Sequence, residues 1–320
     1  MENLKAALAS AKIKSTENTP LAPKTTFKIG STAAIFTAPE TLEQFCQALE
    51  IIKSSKVSFY MLGGGSNTVF PDTPYNGVII STENLKEITI KTEGDRAYVK
   101  CQAGTPMAAF ITFCTANNLS GVEQFAGLPG SVGGAVYMNA RCFDKSISEV
   151  FYSAEYISPL AEKSQIETLD YVPDQWAYKK SPFQPAEGSG AASKPHKYVL
   201  SATFRLSALP ARDPSAQKAI EEKCKYYIAE RKDKGHFKYP SAGSVFKNNR
   251  AFGKPSGQLI DEAGVRGLKI GGGQIAPFHG NFIINVDHAS QKDIKELVAA
   301  AQKAVFDKFG FTLEPEIIFL

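Results

Sequence analysis

The sequence predicts an α+β fold, and three observations carry that expectation. Helix-period and strand-period segments are mixed along the 320 residues. Two strand-like runs are separated by Glu93-Gly94-Asp95, where Gly94-Asp95 suits a hairpin turn and hence antiparallel pairing. Two glycine-rich stretches, LGGGSN at 62–67 and GLPGSVGGAVYMNA at 127–140, are each bounded by apolar residues that read as strand or helix.

Taken in order, the first helix follows Pro39. Thr41 can cap it and Gln44 can reach back in a capping box, with Phe45, Leu49 and Ile52 as the buried stripe. Residues 57–61 run apolar into the first glycine stretch. Short strands are expected at 75–80, 87–92 and 96–102, then a helix at 106–118 with Phe110, Phe113 and Cys114 inward. Residues 185–197 (PAEGSGAASKPHK) read as an exposed loop. A strand at 198–206, a linker at 208–215 and a charged helix at 216–231 place the main domain boundary near 207. A last helix starts at Ser290 with Asp293 in capping-box position and Ile294, Leu297, Val298, Ala301 and Val305 buried.

The length suits two domains, each able to bury its own core. Hydrophobic residues at 43% and charged residues at 21% are ordinary for a globular protein, and the net charge of +4 comes without a dominant basic block. A nucleic-acid partner is therefore not indicated. Cys46, Cys101, Cys114, Cys142 and Cys224 show no metal-type spacing and read as buried reduced thiols. The four histidines are not at ligand spacing, so no metal site is expected. No apolar run suits a signal peptide or a membrane span, and the expected location is the cytoplasm.

Clustered glycines let the backbone take positive φ and turn successive N–H groups toward one concavity, which suits a pyrophosphate. Two tight turns that need glycine for geometry alone are the other reading. The generic nucleotide motifs fail. Lys254 is followed by Pro255 where a Walker motif needs Ser or Thr, and Gly271, Gly273 and Ala276 match a dinucleotide pattern that runs into strand-like residues, not a helix. Residues 239–248 (YPSAGSVFKN) are the densest chemical candidate, with small residues, two serines, Lys247 and Asn248; a serine-glycine turn before a strand is the plain alternative. Glu314 and Glu316 stand beside the apolar C-terminal strand, where solvated glutamates are the usual reading. Residues 178–183 would ordinarily be a surface turn.

These pieces occur in order from about residue 18 onward: TFKIG at 26–30, LGGGSN at 62–67, GLPGSVGGA at 127–135, PSAGSVFKN at 240–248, SGQLIDEAGVRGLKIGGGQI at 256–275, HGNFIIN at 279–285 and LEPE at 313–316. The ordered set resembles the UDP-N-acetylenolpyruvoylglucosamine reductases, in the shorter of their two main types. The resemblance implies a two-lobed FAD-binding domain of the vanillyl-alcohol-oxidase-like type and a C-terminal α+β substrate-binding domain. With it go an arm at 1–15, lobes at 16–82 and 83–207, and the substrate domain at 208–320. It implies non-covalent FAD, with Gly63, Gly64, Gly65, Ser66, Asn67, Gly127, Pro129, Gly130, Ser131, Val132 and Gly133 at the pyrophosphate. Gly64 and Gly130 are expected where a side chain would strike the phosphates or forbid a positive φ.

The implied reaction, a step of peptidoglycan precursor synthesis and so of cell-wall biogenesis, reduces UDP-N-acetylglucosamine enolpyruvate to UDP-N-acetylmuramate with NADPH as hydride donor. By the same resemblance Ser244 falls on the proton donor, Glu316 on the catalytic glutamate, and Tyr178 and Asn248 on substrate contacts. The catalytic cation falls on Lys179, where the family has arginine; Lys28, Ser31 and Arg141 also depart from common family residues. Glu316 orients either the developing enolate or the cation. Another FAD-dependent oxidoreductase of the same fold, or a non-catalytic flavin or nucleotide-sugar binder, would have no reason to keep Ser244 and Glu316 in AGSVFKN and LEPE.

Overall fold

The computed structural model describes residues 1–159, 164–185, 197–209 and 214–320. Most of the loop expected at 185–197 (186–196) and part of the linker expected at 208–215 (210–213) lie outside the described residues. Among the described residues the α-helices are α1 (Glu2–Ser10), α2 (Leu42–Ser54), α3 (Met107–Ala116), α4 (Val132–Tyr137), α5 (Pro214–Asp233), α6 (Ser256–Glu262) and α7 (Gln291–Phe309). None is long and apolar enough to cross a membrane. The chain divides into two compact units, one of Met1–Glu17, Ile35–Gly64 and Gly77–Ala229, the other of Asn18–Ala34, Gly65–Asn76 and Glu230–Leu320.

The first unit is built on an antiparallel sheet whose strands run in the order Ile166–Asp170, Phe151–Ile157, Tyr198–Ala208, Arg96–Gln102, Ile88–Glu93. Glu93 pairs with Arg96, so Gly94 and Asp95 form the whole turn, and Gly94 takes the positive φ (63°) of a primed hairpin turn. Helix α3 sits in one core with this sheet: Phe110 lies 4.7 Å from Phe204, ring to ring, and Cys114, Val132 and Val136 belong to the same cluster as Val99 and Cys101. The helix is a little shorter than expected because Pro106 bridges to Ser131 in extended conformation before it.

Helix α2 begins as its sequence demands. The Thr41 hydroxyl accepts from Gln44 N–H, and Gln44 reaches back to Glu40 N–H, one residue before the cap. Its stripe of Phe45, Ala48, Leu49 and Ile52 joins Leu4 and Leu8 of α1 with Val78 and Ile80 in a second core. Each such fully buried side chain contributes roughly 1.5–3 kcal/mol. Strand Phe59–Leu62, which leads into the first glycine stretch, runs parallel to Tyr75–Ser81. Cys101, Cys114, Cys142 and Cys224 are buried free thiols and Cys46 is half-buried. Burial pushes the Cys101 thiol up to about 12.

The second unit pairs Ser241–Ser244, Phe282–Asn285, Gly273–Ile275 and Lys269–Ile270 in antiparallel order, and Thr68–Val69 runs parallel to Ile318–Phe319. Helix α7 starts with the expected box: Ser290 accepts from Asp293 N–H, and Asp293 accepts from Ser290 N–H. Its residues Ile294, Leu297, Val298, Ala301 and Val305 are all buried, in one cluster with Ile260, Ile275, Ile283 and Leu313. Gly271 and Gly272 form the hairpin turn before Gly273–Ile275, and Asp293 also takes Gly272 N–H. Those glycines thus serve the start of α7, in keeping with the failed dinucleotide pattern.

Candidate active site

In the first unit the two glycine stretches meet. The Ser131 hydroxyl accepts from Gly64 N–H (3.1 Å) and from Gly134 N–H (3.4 Å), so one oxygen caps α4 and holds the other loop. A Cβ added to Gly64 would stand 2.5 Å from Gly130 Cα and 2.7 Å from Ser131 N; one on Gly63 would stand 2.9 Å from Ser131 Oγ. The obstacle at Gly64 is therefore the Gly130 backbone, while Gly130 (φ 102°) and Gly127 (φ 76°) need glycine for conformation. Gly133 N–H donates to Ala103 O and Val132 N–H to Thr105 O, at 2.9 and 2.8 Å. The N–H groups of Gly64, Val132 and Gly133 are thus engaged within the protein. Pro129 is exposed. The two stretches pack backbone to backbone, with no room for a side chain on Gly64.

Lys179 is held at the far end of α4. Ala177 and Lys180 pair through Ala177 N–H to Lys180 O (3.3 Å) and Lys180 N–H to Ala177 O (3.0 Å), leaving Tyr178 and Lys179 as a two-residue turn. Lys179 has φ 58°, in the third position of a turn that usually calls for glycine. Left-handed backbone costs an ordinary residue about 1–2 kcal/mol, so other bonds must hold it. They run to the end of α4: Tyr137 O accepts from Ser181 Oγ (2.7 Å) and Gln184 Nε2 (2.8 Å), Gln184 Nε2 also reaches Lys179 O (3.1 Å), and Asn139 Nδ2 donates to Ala177 O (2.8 Å). Lys179 is half-buried, whereas Tyr178 and Lys180 are exposed.

In the second unit the segment that follows Ser244 pairs with the segment that carries Glu316. Ser241 pairs with Ile284 and Ser244 with Phe282, so the serine strand carries one extra residue, a bulge at Ala242-Gly243. Gly243 has φ 76° and an added Cβ there meets nothing within 4 Å, so the turn of backbone alone requires glycine. Beyond the bulge the chain runs against the C-terminal segment: Glu316 N–H donates to Val245 O (2.7 Å), Phe246 bridges Pro315, and Lys247 N–H donates to Glu314 O (2.9 Å). Asn67 Nδ2 donates to Glu316 O (2.9 Å), and Asn67 O accepts from Ile318 N–H (2.9 Å). Asn67 thus grips the glutamate's own backbone. Asn248 Oδ1 accepts from Ser256 N–H (2.9 Å) in the first turn of α6. Gly65 (φ 62°) accepts from Thr26 N–H at 3.1 Å, with Ser66 half-buried after it.

The sequence reading passed over Asn281. It is 4% exposed, and both ends of its amide bind the backbone of Phe246. The available signal was a lone asparagine between Gly280 and an apolar strand. Among the described residues no cluster of three or more His, Cys, Asp or Glu side chains could hold a metal. His236 and His279 pack on Phe282. Burial first, then the charge of Arg231, pushes His236 down to about 4.

Residues 33–159, which contain both glycine stretches, match the family model described as an FAD binding domain. Residues 235–320, which carry Ser244, Asn248 and Glu316, match UDP-N-acetylenolpyruvoylglucosamine reductase, C-terminal domain. The UDP-N-acetylenolpyruvoylglucosamine reductase of Treponema denticola is 46% identical over 301 residues, covering 94% of this chain and 91% of its own. The chain belongs to the UDP-N-acetylenolpyruvoylglucosamine reductase family. The reductase of that name from Treponema pallidum is 37% identical over 94% of this chain and 92% of its own. The crystal structure of the Thermus caldophilus reductase superposes with a TM-score of 0.72 at 25% identity, covering 96% of this chain and 98% of that one. The reductase family's two-part α+β architecture, an FAD-binding portion followed by its own C-terminal domain, is therefore the architecture of this chain.

Proposed function

We infer that the chain is an FAD-containing oxidoreductase that reduces UDP-N-acetylglucosamine enolpyruvate to UDP-N-acetylmuramate, with NADPH as hydride donor. Family membership across 94% of the chain supports the activity. The observation that carries the chemistry is the pairing of Val245, the residue after Ser244, with Glu316, whose N–H donates to Val245 O. FAD, when bound, supplies hydride chemistry between the nicotinamide and the enolpyruvyl ether. Gly63–Asn67 and Gly127–Gly133 are the residues proposed to hold its pyrophosphate, with Gly64, Val132 and Gly133 acting by shape.

Hydride addition at C3 of the vinyl ether leaves negative charge at C2, conjugated with the carboxylate. Lys179 is assigned the cation that stabilises this enolate, a preorganised charge on an anchored turn. The Ser244 hydroxyl is assigned the proton delivered to C2, which completes the lactyl ether. Glu316 orients the enolate or the cation. Tyr178 and Asn248 are assigned to the UDP-sugar, with Asn248 held by Ser256 N–H at its amide oxygen. A cytoplasmic role in peptidoglycan precursor synthesis, without nucleic-acid or membrane partners, belongs to the same reading, as do domain limits at 82/83 and 207/208. Ser244→Ala tests it by stopped flow. Flavin reduction by NADPH stays near wild type and reoxidation by the enolpyruvyl substrate slows by about 10²–10⁴. Unchanged reoxidation removes Ser244 from the mechanism.

A further inference from the structure

We propose that Asn281 is the positioning residue that holds Ser244 and Glu316 at their working separation. The inference rests on the roles assigned to those two groups above. Asn281 Nδ2 donates to Phe246 O (2.8 Å) and Asn281 Oδ1 accepts from Phe246 N–H (2.8 Å), so its side chain pairs with Phe246 as a neighbouring strand would. Its own carbonyl accepts from Val245 N–H (3.0 Å), and Val245 O in turn accepts from Glu316 N–H (2.7 Å). Residues 245 and 246 therefore have three of their four backbone groups bound by one residue and the fourth bound by Glu316. Ser244 is the next residue upstream, where the bulge leaves the ladder.

The end of the ladder explains why a side chain is used. Regular pairing with Phe282–Asn285 ends at Ser244, so Phe246 has no strand partner on that side and the carboxamide replaces one. Asn281 is itself fixed from behind, its N–H donating to His279 Nδ1 (3.2 Å). Helix α6 closes on it tightly enough that a Cβ on Gly257 would lie 3.3 Å from Asn281 N. An amide this deeply buried is costly unless both ends are paired. Here both ends are paired to the segment that separates the two proposed catalytic groups.

The test compares flavin-loaded Asn281→Ala and Asn281→Ser with wild type. It follows reduction by NADPH, reoxidation by UDP-N-acetylglucosamine enolpyruvate, and amide exchange over 244–248. Reduction should stay within about twofold, while reoxidation slows by about 10–100-fold, since a displacement of about 1 Å can cost 10²-fold. The Val245 and Phe246 amides should exchange faster. In a Ser244→Ala background, adding Asn281→Ala should slow reoxidation by a smaller factor than it does in the wild type, because one of the two groups being positioned is already gone. Wild-type reoxidation, equal losses in both half-reactions, or effects that multiply in the double variant overturn the proposal. If both variants fail to fold or to retain flavin, Asn281 serves folding alone and the proposal falls. A slow Ser244→Ala beside a normal Asn281→Ala removes this inference only; a normal Ser244→Ala removes the parent assignment and this inference with it.

Discussion

Gly64 and Ser244 are each held against a neighbouring segment, but by opposite means. At Gly64 a side chain has been left out so that two backbones can touch, 2.5 Å from where a Cβ would stand to Gly130 Cα. At Ser244 the ladder reaches its last pair just after a bulge; beyond it the carboxamide of Asn281 holds the backbone of Phe246, and that of Asn67 holds the backbone of Glu316. The first device is a close backbone contact that depends on absent atoms and tolerates no addition. The second places two reactive groups and depends on particular hydrogen bonds, so it tolerates no deletion.

The largest effect expected in the first unit tests a candidate that acts through its side chain. Lys179→Ala should slow reoxidation by the sugar about 10²–10³-fold and spare reduction by NADPH, whereas Lys179→Arg keeps or raises activity because a planar fork can grip an enolate twice. Wild-type reoxidation in Lys179→Ala beside a crippled Lys180→Ala would move the role one residue along. Next, Gly64→Val should push the loops apart and weaken flavin binding at least about 10–100-fold, the scale of overpacking by about 1–3 kcal/mol. A folded variant that purifies yellow with full flavin would break the contrast between the two devices.

Smaller effects sharpen the comparison within the second unit. His236 is pushed down to about 4 from 6.5. Above pH 6.5 both folded and unfolded states hold it neutral; below that the unfolded chain takes the proton first, so stability falls until about pH 4 and then levels. After allowance for solvent screening the loss is about 1–2 kcal/mol, and His236→Phe should flatten that part of the profile in urea titrations at pH 7 and pH 4.5. Gly243→Ala meets no neighbour, so it should cost only the left-handed backbone, about 1 kcal/mol, read as a lower thermal midpoint. A loss several times larger would mean that the bulge is held by space and not by conformation.

Much of this was legible because it is local. The caps of α2 and α7, the buried stripe of α7 and the Gly94-Asp95 turn all follow from spacing within a few residues, and their partners lie within the same stretch. The glycine stretches and the 240–248 segment stood out by composition. What stayed hidden is non-local: nothing in LGGGSN says that Gly64 donates to Ser131, or that Asn67 reaches Glu316 across 249 positions. Asn281 lay inside a quoted motif with no role, because its partner Phe246 is 35 residues away and apolar. The second glycine stretch gave strand and helix equal weight at Ala135–Met138, and the Ser131 cap decided for helix.

All five cysteines fall in the first unit, four of them buried and Cys46 half-buried. A thiol-specific reagent therefore reads the opening of that unit alone, and the buried thiols react only when the structure around them opens. Labelling with and without FAD would measure how far the cofactor locks the glycine cradle's own unit, with no tag or engineered probe. The second unit, which holds no cysteine, is silent to the same reagent.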